Sequence, residues 1–78
     1  FDLDGLDPAY LPGTGTPEPG GLDWYEASDL IGAVAQAKRI VGFDVVELAP
    51  IAGNVASDFL AARMTYRMIG HMLKSQPK

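Results

Sequence analysis

The chain has 78 residues, a net charge of −4 and no cysteine. It is therefore one small domain at most, without a disulfide scaffold or a zinc–thiolate site, and its acidic balance argues against nucleic acid or an anionic membrane as the main partner. Apolar residues make up 47% of the chain and charged residues 21%, as in globular proteins, and no apolar run approaches the roughly 18 residues of a membrane span. Because the absence of cysteine fits a reducing compartment, we expect a cytoplasmic protein.

The first third of the sequence predicts a short strand followed by a long, stiff loop. The sequence begins with Phe1 and not with a methionine. Its first four residues, Phe-Asp-Leu-Asp, are typical of the end of a strand over residues 1–4. We therefore expect the chain to be a piece of a longer protein. Prolines and glycines recur throughout residues 5–22, so neither a helix nor a strand can continue there. A long loop stiffened by proline is more often functional than a linker.

A helix is predicted over residues 23–38. Asp23 is a favourable N-cap, and Glu26, three residues later, completes the spacing of a capping box. Apolar residues at helical spacing form one face that we expect to be buried, namely Ala27, Leu30, Ile31 and Val34.

A second strand and a second helix complete the predicted elements. Residues 40–48 form a near-continuous apolar run rich in β-branched side chains, which is typical of a strand buried on both faces of a parallel sheet, and Pro50 ends it. The helix is predicted over residues 55–74, with either Asn54 or Ser57 as its cap. Its apolar residues form two stripes, one of Phe59, Ala62, Tyr66, Ile69 and Leu73 and a roughly opposite one of Leu60, Met64, Met68 and Met72. Since such a helix is buried on most of its circumference, we expect a larger parent protein or a second subunit to cover it.

The order strand, helix, strand, helix predicts an α/β fold with parallel strands and right-handed crossovers. Two strands alone make a poor sheet, because three or more are normally needed for independent stability. The alternative to a piece of a larger α/β protein is a small domain that is stable on its own.

Two aspartates at the start of the chain are the first candidates for chemistry. Asp2 and Asp4 lie two residues apart on the predicted strand, so both carboxylates point to the same side, and ligands of open α/β sheets bind beyond the carboxyl ends of strands. Two close carboxylates repel each other unless a cation lies between them, and a hard divalent metal ion is the natural partner. The alternative is a solvated strand end or a turn cap.

Glu47 is the next candidate, because it ends the second apolar strand on the same edge of the sheet. A partly buried carboxylate there needs a cation or several hydrogen-bond donors. A guanidinium or amine substrate would satisfy it, as would Arg63 or Arg67 of this chain. Asp7, before Pro8, is interpreted as an Asx turn that starts the loop. The methionines at i, i+4 spacing are interpreted as packing surface, and the histidine at position 71 as a solvated residue.

Two longer motifs give the sequence a specific resemblance. Phe-Asp-Leu-Asp-Gly-Leu-Asp-Pro at 1–8 is followed by Pro-Gly-Thr-Gly-Thr-Pro-Glu-Pro-Gly-Gly at 12–21. Together they resemble the third signature block of the ureohydrolases, the arginase and agmatinase family. The resemblance continues through Val-Gly-Phe-Asp-Val-Val-Glu-Leu-Ala-Pro at 41–50 and the closing helix. Within the family, the sequences of these motifs resemble agmatinase more than arginase. The resemblance implies that the chain is the carboxyl-terminal β-α-β-α portion of a three-layer α/β/α fold with a parallel sheet.

The resemblance also implies a site and a reaction. Asp2 and Asp4 match ligands of a binuclear manganese centre, with another divalent metal as an alternative, Glu47 matches the glutamate that holds the guanidinium of the substrate, and Thr16 matches a hydroxyl beside it. No residue of this chain is assigned as a catalytic acid, base or nucleophile. The implied reaction is hydrolysis of a guanidino compound by a metal-bridging hydroxide, in the first instance of agmatine to putrescine and urea.

The other metal-binding blocks of the family lie upstream of its third block and are not in this sequence. We therefore expect the 78 residues alone to be inactive and to need the remainder of a ureohydrolase chain, in a homo-oligomer. The competing hypothesis is non-enzymatic: a truncated ureohydrolase end that assembles through an exposed Leu60, Met64, Met68 and Met72 face.

Overall fold

Two helices form the framework of the protein, as seen in a computed structural model that describes residues 1–77. Helix α1 spans Trp24–Ala37 and helix α2 spans Ala56–Lys74, and the two pack against each other. The molecule measures 43 × 23 × 16 Å, and its short dimension is little more than the diameter of one helix, about 10–12 Å. Each helix therefore keeps one face against the core and one face towards solvent. No helix within residues 1–77 is long and apolar enough to cross a lipid bilayer.

The core is built from both helices and from the chain that precedes them. It consists of Leu3, Leu6, Leu11, Ala27, Ala61, Met64 and Met68. Three of these residues precede α1, and they are among the most completely buried side chains of the molecule. The amino-terminal segment is thus held on the helices by apolar burial, which is the main stabilising contribution available to irregular chain.

Helix α1 begins at the capping box that its sequence predicts. The Asp23 carboxylate accepts a hydrogen bond from the Glu26 amide at 2.7 Å, and the Glu26 carboxylate accepts one from the Asp23 amide at 3.1 Å. The predicted apolar face is only partly buried. Ala27 is buried and Ile31 is half-buried, whereas Leu30 and Val34 are exposed.

Helix α2 packs on the core through the stripe Ser57, Ala61, Met64 and Met68. The interpretation of the methionines as packing residues is confirmed for Met64 and Met68, which are buried. The hypothesis of an exposed Leu60, Met64, Met68 and Met72 face is therefore wrong, because this stripe is the one that covers the core. The opposite stripe is exposed instead, with Phe59, Tyr66 and Leu73 each about two-thirds or more accessible at 66%, 74% and 65%.

The segments predicted as strands, 1–4 and 40–48, do not form regular strands. They meet at one isolated parallel bridge between Asp2 and Val46. The Leu3 amide donates to the Val46 carbonyl at 3.1 Å, and the Val46 amide donates to the Phe1 carbonyl at 3.0 Å. Directly after Asp2, the amino-terminal segment forms a 3₁₀ helix over Leu3–Gly5. A strand exists only through the hydrogen bonds of its neighbours, and each segment here has one neighbour on one side.

The loop over 5–22 is closed at its base. Leu6 and Leu22 form a parallel bridge, in which the Asp7 amide donates to the Leu22 carbonyl at 2.8 Å and the Leu22 amide donates to the Gly5 carbonyl at 2.9 Å. The chain thus enters and leaves the loop at one point.

The Asp7 carboxylate ties the start of this loop to its end. It accepts the Ala9 amide at 2.9 Å, as the predicted Asx turn requires, and the Gly20 amide at 3.0 Å. These backbone hydrogen bonds, the one from Ala9 first, stabilise the ionised form and lower the pKa of Asp7 below its usual 3.8.

We expect the loop to lose this support in acid. Since the pKa of Asp7 is lower in the folded than in the unfolded chain, its contribution to stability is present above pH 3.8 and is lost as the pH falls through the folded-state value. Asp7→Asn should be less stable than the unsubstituted protein at neutral pH, and the difference should shrink below pH 3.8. Urea unfolding at several pH values measures it, and a difference that stays constant across the acid range would contradict the prediction.

Candidate functional site

The aspartate pair lies on the first 3₁₀ turn and not along a strand. Asp2 is extended and is the N-cap of the turn, with its Oδ1 accepting the Asp4 amide at 3.0 Å. The expectation that both carboxylates point to the same side, which rested on the two-residue period of a strand, therefore does not apply. The cap folds the Asp2 side chain over the backbone amide of Asp4. Asp2 is exposed and Asp4 is partly buried.

The loop over 5–22 folds back onto this pair through Thr16. The Thr16 hydroxyl donates to Oδ2 of Asp4 at 2.7 Å, twelve residues away in sequence. This is a short, charge-assisted hydrogen bond, which fixes the orientation of the carboxylate. The resemblance placed Thr16 beside Glu47. In the part of the chain that the structure describes, the hydrogen bond of its hydroxyl goes to Asp4.

Glu47 directly follows the residue that is paired with the amino-terminal segment. Val46 is the bridge partner of Asp2, so the backbone of Glu47 lies next to the aspartate pair in the fold. Glu47 has a φ of 75°, in the left-handed region that non-glycine residues rarely adopt. Its side chain is exposed, which contradicts the expected partial burial. The reason is that no second strand covers this segment within residues 1–77.

The described residues include donor groups that suit a metal ion. Asp2 and Asp4 offer carboxylate oxygens of the kind that hard divalent ions prefer, and each keeps one oxygen free of the hydrogen bonds described above. Among residues 1–77, however, no group of three or more histidine, cysteine, aspartate or glutamate side chains is placed to hold a metal ion. The donor set therefore fits a contribution to a metal centre and not a complete coordination shell. His71 lies elsewhere, with its ring packed towards Gly32 of α1.

One polar residue of this region was missed by the sequence analysis. Ser57 was considered only as a possible cap of α2, but its Oγ accepts the Gly13 amide at 2.8 Å in a buried hydrogen bond. The prediction that Asn54 or Ser57 is the N-cap of α2 is wrong, because the N-cap is Val55 and makes no side-chain cap hydrogen bond. Asn54 precedes the cap, and its Oδ1 accepts the Ala56 amide at 3.0 Å. The available signal was the position of Ser57 in the stripe of Ala61 and Met64, where a polar group needs a partner.

Comparison with known proteins places the chain in a family. The family model described as the Arginase family matches residues 1–70. The N(1)-aminopropylagmatine ureohydrolase of Synechocystis sp. is 47% identical over 78 residues, which is 100% of this chain and 26% of that protein.

Two solved structures superpose on the chain. The proclavaminate amidino hydrolase from Streptomyces clavuligerus matches with a TM-score of 0.86 and 36% identity, over 96% of this chain and 25% of its own. The agmatine ureohydrolase of Thermoplasma volcanium matches with a TM-score of 0.80 and 41% identity, over 94% and 24%. The chain thus spans about a quarter of the length of the relatives it matches.

The class defined by this fold is that of the ureohydrolases and amidino hydrolases, and the expected fold is confirmed as a portion of theirs. This chain belongs to the arginase family.

Proposed function

We propose that this chain is the carboxyl-terminal part of a hydrolase that releases urea from a linear guanidino compound, with agmatine as the first substrate to test. The observation that carries the proposal is that three segments meet around the Asp2–Val46 bridge. Asp2 and Asp4, the loop residue Thr16 and the backbone of Glu47 converge there, although they are separated by up to 45 residues in sequence. The matched relatives are named for guanidino substrates, which supports the same reading.

In this proposal Asp2 and Asp4 provide carboxylate ligands to a pair of divalent metal ions, with manganese as the first candidate. Such a centre, when bound, supplies a hydroxide nucleophile near neutral pH. The hydrogen bond from Thr16 orients the Asp4 carboxylate and leaves its other oxygen for the metal. The remaining ligands come from the remainder of the ureohydrolase chain.

Glu47 is proposed to hold the substrate. Its carboxylate can accept two parallel hydrogen bonds from a planar guanidinium, which fixes both the position and the orientation of the cation. In the reaction, water is added and the bond between the guanidinium carbon and the alkyl nitrogen breaks. The carbon leaves as urea, and the nitrogen takes a proton to become the ammonium group of the amine.

The exposed apolar stripe of α2 is proposed to be covered by the remainder of the same chain or by a second copy in a homo-oligomer. Phe59, Tyr66 and Leu73 form an apolar row on the side of the helix away from the core. Apolar rows of this size are usually buried against other protein. Since the present chain supplies only two residues of a metal site, we expect residues 1–78 alone to release no urea.

The test of the proposal is Asp4→Ala in the protein that carries this chain, loaded with Mn²⁺. Loss of one ligand should lower urea release from agmatine by about 100-fold or more, and should lower the bound metal measured by atomic emission. Asp29→Ala is the matched control, because Asp29 is an exposed aspartate on α1, and it should leave both quantities unchanged.

Two outcomes count against the proposal. Asp4→Ala with full urea release and full metal content would refute the site. The absence of urea from agmatine, guanidinobutyrate and arginine in the unsubstituted protein would refute the enzymatic function and favour the non-enzymatic hypothesis.

A further inference from the structure

Two hydrogen bonds, one from a backbone amide to a side chain and one between backbone groups, connect helix α2 to the segment that carries Glu47. The connection starts at Ser57 in the first turn of α2, which is 1% exposed. The Ser57 Oγ accepts the Gly13 amide at 2.8 Å, and the Gly13 carbonyl accepts the Ala49 amide at 2.7 Å. Both backbone polar groups of Gly13 are thus used to join the helix to a residue two positions after Glu47.

The contact between Gly13 and Ser57 is too close for any side chain at position 13. A Cβ on Gly13 would lie 2.6 Å from Cβ and 2.7 Å from Oγ of Ser57, and 3.1 Å from the Ala49 carbonyl oxygen. Contacts below 3.0 Å are not found for real Cβ atoms. Helix, loop and Glu47 segment therefore meet at this point without room for an intervening water molecule.

Glu47 needs such support because its backbone is in a costly conformation. A non-glycine residue with a φ of 75° persists only where its surroundings hold it. On one side Val46 is held by its hydrogen bonds to Phe1 and Leu3. On the other side the anchor is Ala49, bonded to Gly13. If the second anchor is lost, the residue is free to return to an ordinary conformation, which would turn its carboxylate elsewhere.

We infer that Ser57 is a positioning residue for the substrate-binding carboxylate of Glu47, acting through Gly13 and Ala49. The inference rests on the proposed function, because it assigns Ser57 a part in binding the guanidino substrate. Ser57 touches neither the substrate nor the metal ligands, and its role is to hold the backbone that presents Glu47.

Ser57→Ala in the protein that carries this chain tests the inference, with agmatine as the probe. The substitution removes the acceptor of the Gly13 amide and should raise KM about tenfold with a much smaller change in kcat, because misplacement of a binding group costs affinity first. The Ala49 amide should also exchange its hydrogen faster, as measured by mass spectrometry. Ser28→Ala is the matched control, since Ser28 is a buried serine in the corresponding helix α1, and KM and Ala49 exchange should stay unchanged.

A second variant covers the case in which the alanine protein does not fold. Ser57→Cys keeps the shape of the side chain but replaces a strong acceptor with a weak one, and should reproduce the rise in KM. An unchanged KM and unchanged Ala49 exchange in the folded Ser57 variant would overturn the inference. If the unsubstituted protein released no urea, the proposed function would fail, and with it the role in substrate binding, while the exchange data would still report whether Ser57 holds the Glu47 segment.

Discussion

Glu47→Gln is expected to lower kcat/KM for the guanidino substrate about 10- to 150-fold, the equivalent of about 1.5–3 kcal/mol for a hydrogen bond to a charged group. Glutamine keeps the size of the side chain and one acceptor oxygen, but it loses the negative charge that is proposed to pair with the guanidinium, and it cannot accept two parallel hydrogen bonds. Most of the effect should fall on KM, as is usual for a group that binds the substrate in the ground state. Steady-state kinetics of urea release measures it.

Two controls separate substrate binding from general damage. Glu18→Gln makes the same chemical change at another exposed glutamate, within the loop over 5–22, and should leave kcat/KM within about twofold of the original value. The metal content of Glu47→Gln should be unchanged, because Glu47 is not proposed as a ligand. If Glu47→Gln bound agmatine as tightly as the original protein, the assignment of this residue to substrate binding would be wrong.

Gly21→Ala is expected to be among the most destabilising single substitutions in the chain. A Cβ at position 21 would lie 2.6 Å from the Asp7 amide nitrogen, 2.7 Å from the Leu6 carbonyl carbon and 2.8 Å from the Gly5 carbonyl oxygen. All three are backbone atoms at the base of the loop, so no side-chain rotation can relieve the contact. Forced overpacking of this kind costs about 2 kcal/mol or more of unfolding free energy. Urea unfolding of the protein measures the change.

The matched control is Gly15→Ala in the same loop. A Cβ at position 15 meets nothing within 4 Å, and its φ lies outside the left-handed region. This substitution should be neutral or slightly stabilising, by up to about 1 kcal/mol, because alanine reduces the freedom of the unfolded chain. Equal stabilities of the two variants would show that the close approach at the loop base does not constrain the fold.

The helices could be predicted from sequence because their signals are local. The capping box of Asp23 and Glu26 and the apolar periodicity are contained within each segment, and the two helices lie within the ranges expected for them. The strands could not be predicted, because residues 40–48 have the composition of a buried strand but only one hydrogen-bonded neighbour. The composition of a segment indicates whether it would be stable as a buried strand. Whether it forms a strand depends on the neighbouring strands that are present to hydrogen-bond with it. The same reason explains why Leu30 and Phe59 are exposed although their periodicity suggested burial.

The candidate site was predictable to the extent that it lies in short motifs. Asp2, Asp4, Thr16 and Glu47 were chosen from chemistry and from the resemblance, and the hydrogen bond between Thr16 and Asp4 unites two of them. Their roles stay predictions. The connection from Ser57 to Gly13 spans 44 residues and depends on the packing of α2 against the loop, so no local pattern indicates it. The left-handed backbone of Glu47 was equally hidden, since glutamate has no preference for it.

The closed base of the loop over 5–22 has a consequence for which of its residues can vary. Because Leu6 and Leu22 are paired, exposed residues in the outer part of the loop can change without displacing the helix that follows. Glu18 and Pro19 lie in that outer part, and both are exposed. Substitutions at these two positions should therefore leave the folding of the remaining chain intact, whereas Gly13, Thr16 and Gly21 are constrained by their contacts. The loop thus combines a constrained base with an exposed tip, and sequence changes are expected to accumulate at the tip because they cost little stability there.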